Sequence, residues 1–316
     1  MTTRLVIGTR GSKLALWQAN HVAARIRERY PHTDISLKHI ITTGDKILDV
    51  PLAKIGSKGL FTKELEKELL AGDIDLAVHS LKDMPTELPP GLTLGAVTAR
   101  ADAGDALISP RYRMLDNLPP AARVGTSSLR RKAQLLAYRP DLTICDLRGN
   151  LDTRLGKLAS QQLDAIVLAV AGLRRLGWEE HITEILQPDV CLPAVGQGAL
   201  AIETRADDRA VLDILAFLHD EATAQAVTAE RAFLHELEGG CQVPIGVWGR
   251  LADGRLRLDA VIATADGRRC LRDSACGQPG EAEKLGCSLA RRMYAAGGRE
   301  ILAELVDAGR AKEDNE

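Results

Sequence analysis

Aromatic residues are scarce, only 3% of 316 positions, so the cores must rest on Leu, Val, Ile and Ala. The hydrophobic content of 45% is ordinary for a folded globular chain. There is no charge excess either. Lys and Arg number 41 against 43 Asp and Glu, and a net charge of −2 gives no bulk attraction to nucleic acid or to an anionic membrane. Any anion-binding surface must therefore be a local cluster. No apolar run reaches the roughly 18 residues of a membrane span. The opening MTTRLVIGTRGS has no apolar region after a basic start, so no secretory signal is expected. Cys145, Cys191, Cys241, Cys270, Cys276 and Cys287 form no CxxC pair and are irregularly spaced, which argues against a metal site or a disulfide framework. The expected compartment is the reducing cytoplasm. Phosphate-loop, HExxH and GxSxG motifs are all missing, and the GQG at 196–198 lacks the third glycine of a dinucleotide fingerprint.

What is present is alternation. RLVIG, DISLKHII, IDLAVHS and LTLGAV read as strands. Between them residues 13–29 carry Ala15, Ala19, Val22, Ala23 and Ile26 on one helical face, and GLFTKELEKELL carries Phe61, Leu65 and Leu69. A long polar segment from Thr42 to Gly59 interrupts the pattern, as a functional loop or lid would. Residues 100–198 repeat the style with DALIS, ARVGT, a helix from Ser128, LTICDL, a helix from Leu151 and DAIVLAV. From about 218 the order becomes helix, three meandering strands and helices, ending in a frayed AKEDNE tail. The expected fold is α/β: two lobes with mostly parallel sheets and a small α+β C-terminal domain.

An internal echo points to chemistry. VIGTRGS and VGTSSLRR each run strand, Gly-Thr, hydroxyl residue, helix. Helix N-termini attract anions, and these carry Arg10 and Ser12 in one lobe and Ser127, Ser128, Arg130 and Arg131 in the other. The plainer alternative is that the hydroxyls are only N-caps. Further cations follow in LRGN (Arg148), DTRLGK (Arg154) and AGLRRLG (Arg174, Arg175). The stretch HSLKDMP places His79, Lys82 and Asp83 at the carboxyl end of a parallel strand, where open α/β sheets hold ligands. His79 reads as a packed histidine. The loop LEGGCQVPIG sets Cys241 behind two glycines, which lets something bulky approach a thiol.

These stretches together resemble the porphobilinogen deaminase (hydroxymethylbilane synthase) family. IGTRGSKLALWQA, GLFTKELE, DLAVHSLKDMP, VGTSSLRRKAQL, LRGNLDTRLGKL, AIVLAVAGLRRLG, LPAVGQGALAIE and LEGGCQVPIG stand in the family's order. One departure is ADAGDA at 101–106, where the family often has Asp-Pro-Arg-Asp-Ala: Asp102 and Asp105 remain, but Gly104 replaces the arginine. The resemblance implies two periplasmic-binding-protein-like lobes, residues 1–98 with 199–217 and residues 99–198, and a third domain at 218–316 carrying the cysteine. It implies a dipyrromethane cofactor on Cys241 through a thioether. Onto it four porphobilinogen molecules are added with loss of ammonia, and hydrolysis frees hydroxymethylbilane for porphyrin biosynthesis. Asp83 maps onto the catalytic aspartate. Arg10, Ser12, Lys82, Thr126, Ser127, Ser128, Arg130, Arg131, Arg148, Arg154 and Arg175 would hold the acetates and propionates. The expected protein is a monomeric cytoplasmic transferase with no metal, nucleic-acid or membrane partner. A non-catalytic two-lobed binding protein for an anionic metabolite would also explain the lobes, though not Cys241. A cysteine hydrolase using Cys241 and His79 lacks an orienting third residue.

Overall fold

A computed structural model describes residues 4–46, 59–237 and 243–304. In the first lobe, strands β1 (Arg4–Thr9), β2 (Asp34–His39), β3 (Leu76–Ser80), β4 (Leu92–Val97) and β10 (Leu200–Arg205) form one sheet in the order β2-β1-β3-β10-β4. In the second, β5 (Asp105–Ile108), β6 (Arg123–Gly125), β7 (Thr143–Cys145), β8 (Ala165–Ala169) and β9 (Glu184–Ile185) are ordered β7-β6-β8-β5-β9. Each sheet is mostly parallel with one antiparallel strand, β10 or β5. In both, the odd strand is the one that enters directly after the chain crosses from the other lobe. The echo seen in the sequence is structural, since β1 and β6 hold the same place in their sheets.

Helix α1 (Lys13–Arg29) buries Ala15, Gln18, Ala19, Val22, Ala23 and Ile26. That stripe recurs at three- and four-residue steps and packs on Leu5, Ile7, Leu76 and Val78 of the first sheet. The helix stops at Tyr30, before Pro31, which cannot continue it. On the other face, α2 (Lys63–Ala71) places Leu65 and Leu69 against Ile74 and Ala77. The second lobe carries α3 (Leu129–Tyr138), α4 (Leu151–Ser160) and α5 (Val170–Arg175). The apolar run DAIVLAV divides at Ala169, where β8 gives way to α5. Hydrophobic periodicity cannot mark that change, because both sides of it are buried. After α6 (Arg209–Leu215) comes α7 (Glu221–Glu236), then β11 (Ile245–Ala252), β12 (Arg255–Ala263), β13 (Cys270–Gly277) and α8 (Ala282–Met293). These pack around Phe233, Val247, Leu258, Leu289 and Met293. The third strand, read from RRCLRD, lies slightly further along than its sequence suggested. No helix among the described residues is long and apolar enough to cross a membrane.

Candidate active site

The carboxyl ends of both sheets face one cavity of about 460 Å³, part of it open to solvent. Leu14, Ser80 and Lys82 line it from the first lobe, Arg131, Leu151, Arg154, Gly172 and Arg175 from the second, and Gln197 and Gly198 from the turn that leads into β10. Strand β3 ends in a single tight helical turn, Leu81–Asp83, which the backbone of Met84 closes by donating to Leu81. Pro85 prevents its extension. The Leu81 N–H donates to the Ala199 carbonyl at 3.0 Å, and the Lys82 ammonium donates to Gln197 Oε1 at 3.3 Å. Asp83 is half-buried beside Lys82, within electrostatic reach of both Lys82 and Arg154. Asp83 itself is not a lining residue.

One wall is a buried ion cluster. Asp105, fully enclosed, accepts from Arg130 Nη1 at 2.6 Å, from Arg131 Nη2 at 2.7 Å and from Gln197 Nε2 at 2.9 Å. Burial alone would raise its carboxyl pKa, but the charges of Arg130 and Arg131 outweigh that and hold it far below the usual range. One carboxylate against two guanidiniums leaves one surplus positive charge. Arg130 spends its donors inside, on Asp105 and on the Leu192 carbonyl at 2.7 Å, and does not line the cavity. Arg131 is also paired with Asp105 and donates from Nη1 to the Val167 carbonyl at 2.9 Å, but unlike Arg130 it lines the cavity.

The remaining cations are held against their preference. Burial pushes the Lys82 pKa down to about 8, despite the nearby charge of Asp83. It pushes Arg154 down to about 10, with the charge of Arg131 adding to the effect, and Arg175 down to about 10. Arg148, which does not line the cavity, is lowered by burial as well, and its Nη2 is buried with no hydrogen-bond partner. Arg154 Nε donates to the Gly149 carbonyl at 2.8 Å and Arg175 Nη2 to the Gly198 carbonyl at 2.7 Å, contacts that aim the side chains without neutralising them. A group of cations disfavoured by burial is a site for a ligand with several negative charges.

The hydroxyl residues have mostly local partners. Ser12 and Ser128 cap α1 and α3, accepting from Ala15 and Arg131 N–H groups. Thr126 Oγ1 accepts from the Ser128 N–H at 3.2 Å, and Ser127 Oγ bridges the backbone of Leu147. Arg10 donates to Asp45 from Nη2 at 2.5 Å and stacks on Phe61, 4.0 Å from the ring centroid. Neither Arg10 nor any of these hydroxyl residues lines the cavity. Cys241 lies outside the described residues, as do residues 47–58 of the long polar segment and the AKEDNE tail. At Gly104 a side chain would begin 3.0 Å from Asp102 Oδ1. That Asp102 accepts instead from Arg174 at 3.1 Å.

Three further residues organise the site. Gln197 joins Lys82 to Asp105, while Arg100 donates to Glu230 at 2.5 Å and to the Gln197 carbonyl at 2.8 Å. Glu230, fully buried on α7, also accepts from the Gly196 and Gly249 N–H groups. Their signal was the GQG. Gly196 and Gly198 have φ of +70° and +94°, and a side chain at Gly198 would start 2.6 Å from the Ala101 carbonyl oxygen, where the two crossing strands meet.

Residues 5–213 match the family model described as porphobilinogen deaminase, dipyromethane cofactor binding domain, and residues 224–295 match the porphobilinogen deaminase C-terminal domain. Relatives include a porphobilinogen deaminase of Maridesulfovibrio salexigens, 54% identical over 96% of this chain and 99% of its own length. The porphobilinogen deaminase of Desulforudis audaxviator is 55% identical, over 96% of this chain and 99% of its length. Among solved structures, the methionine binding protein MetQ is a distant likeness, with TM-score 0.44 and 14% identity over 71% of this chain and 90% of that one. With both family models matched in order and relatives aligned along nearly its whole length, the chain belongs to the porphobilinogen deaminase family.

Proposed function

We propose that Lys82, Arg131, Arg148, Arg154 and Arg175 hold the carboxylates of a pyrrole chain while Asp83 carries out the chemistry beside them. The observation that carries this reading is the set of cations in one cavity whose burial works against their charge. They fit a dipyrromethane, whose rings bear an acetate and a propionate each, and the unpartnered Arg148 Nη2 fits one of those oxygens. When attached to Cys241, the dipyrromethane supplies the primer onto which four porphobilinogen units are joined before hydroxymethylbilane is released. The chain's own residues bind and orient the acidic substituents. The Asp83 carboxylate stabilises positive charge on a pyrrole ring and accepts or returns its proton. Lys82, next to Asp83 and tied to Gln197, keeps that carboxylate in a cationic setting. The two lobes are residues 1–98 with 199–217 and residues 99–198, and the third domain is 218–316. The protein is read as a monomeric cytoplasmic enzyme acting on porphobilinogen. A purely binding role is disfavoured because it leaves Cys241 and Asp83 without work.

The test is Asp83→Asn, which keeps shape and removes charge. Mass measurement should show one dipyrromethane on the Cys241 peptide in both proteins, while hydroxymethylbilane formation falls by roughly 10²–10⁴-fold in the variant. Near-wild-type turnover in a loaded variant would move the chemistry to another group, and an unmodified Cys241 in active protein would remove the anchor.

A further inference from the structure

His79 is a buried titratable residue outside the cavity lining, and its surroundings are unusual. Its Nε2 lies 3.0 Å from Glu203 Oε2, with His79 6% exposed and Glu203 fully buried. Glu66, on the first turn of α2 and 7% exposed, lies within electrostatic reach of both Glu203 and His79. Burial raises the Glu66 carboxyl pKa, and the charge of Glu203 adds to it. The Oε1 atoms of both glutamates are buried without a hydrogen-bond partner. Two enclosed carboxylates with unsatisfied oxygens are costly where apolar packing would serve, so a role beyond packing is called for.

The place in the fold supplies that role. His79 pairs with Ala201 in the β3–β10 register, and Ser80 pairs with Leu200. One step further, β3 becomes the Leu81–Asp83 turn. On the other side, Gln197, Gly198 and Ala199 lead into β10, and Leu81 donates to Ala199 across the gap. The His79–Glu203 contact therefore ties the two strands together immediately before they diverge into the cavity wall. A slip in that tie moves Lys82, Asp83 and Gln197 together.

We propose that His79, held by Glu203 with Glu66 behind it, is a positioning residue for the reaction. The trio pins the ends of β3 and β10 and thereby sets the place of the Asp83 carboxylate. The inference rests on the Asp83 reading above and adds the residues that aim it.

The test uses full-length, cofactor-loaded protein carrying His79→Leu, His79→Gln or Glu203→Gln, each checked for dipyrromethane by mass. His79→Leu should lose about tenfold or more in kcat, because small misplacements of a reacting group are costly, while KM for porphobilinogen stays within about twofold. His79→Gln, whose amide can still donate to Glu203, should recover most of that kcat. Glu203→Gln keeps an acceptor for the imidazole and should fall less than His79→Leu, which leaves a reading even if His79→Leu does not fold. Wild-type kcat in loaded His79→Leu would overturn the proposal. So would an activity loss in all three that follows their melting temperatures with no rescue by Gln. Asp83→Asn is assayed in parallel. An inactive Asp83→Asn with a fully active His79→Leu rejects only the positioning role, whereas an active Asp83→Asn rejects the assignment beneath it.

Discussion

Arg130 and Arg154 lie on consecutive helices of one lobe and meet opposite fates. Arg130 faces a carboxylate 2.6 Å away, and its pKa is raised: burial alone would lower it, but the charge of Asp105 prevails. Arg154 has a backbone carbonyl and other cations for company, and burial, with those cations, pushes its pKa down to about 10 despite the charge of Asp83. The same side chain is thus neutralised within the protein in one place and, in the reading proposed above, left for a ligand in the other. Arg100 with Glu230 belongs to the first kind, and Arg175 to the second. A guanidinium kept waiting gains from any carboxylate that arrives, and Arg131, paired with Asp105 yet lining the cavity, stands between the two kinds.

Removing one member of each kind tests this contrast. Arg130→Leu should produce the largest effect, because it leaves Asp105 buried with half its compensation. Breaking a buried pair costs about 3–5 kcal/mol, so thermal melting should show a large fall. Melting like the wild type would break the comparison. Arg154→Leu should do the reverse, changing stability by no more than about 1 kcal/mol. Its loss should appear in carboxylate capture, about 1.5–3 kcal/mol for one charge-assisted contact, seen by mass spectrometry as partly extended chains. Unchanged chain lengths would place the polyanion elsewhere.

The smallest effect is pH-dependent. With its pKa near 8, Lys82 gives up its proton as pH rises from 7 to 9, so the cavity loses a charge. Affinity for a pyrrole bearing acetate and propionate but no amine should weaken roughly three- to tenfold across that range, for one charge worth on the order of 1 kcal/mol. The stability term has the opposite sign. A lysine pKa depressed on folding means the unfolded chain binds more protons between about 8 and 10.5, so the Lys82 contribution becomes more favourable as pH rises through that window. Lys82→Arg keeps its charge at pH 9 and should abolish the fall in affinity. Calorimetric titration at three pH values would show a persistent fall if another group is responsible.

Much of this was readable without coordinates because it is local. A Ser before a periodic apolar stripe starts α1 and α3, and a Pro behind Asp83 stops its turn, since neighbours in sequence decide caps and breaks. The repeated strand-Gly-Thr-hydroxyl-helix unit foretold the matching places of β1 and β6. His79 could be read as packed, but its partner Glu203 is 124 residues away, on a strand that returns from the other lobe.

By itself the sequence determined the family, the alternating lobes, and the positions of Asp83, Lys82 and the arginines at strand and helix ends. Only the tertiary structure decided which of those arginines are engaged. Arg130 meets Asp105 across 25 residues and Arg100 meets Glu230 across 130, and whether two such charges touch depends on how strands cross between lobes. Electrostatic energy falls with distance in space and rises with burial, neither of which is written along the chain. The same residue type therefore ends up paired with a carboxylate at Arg130 and lining the cavity at Arg154.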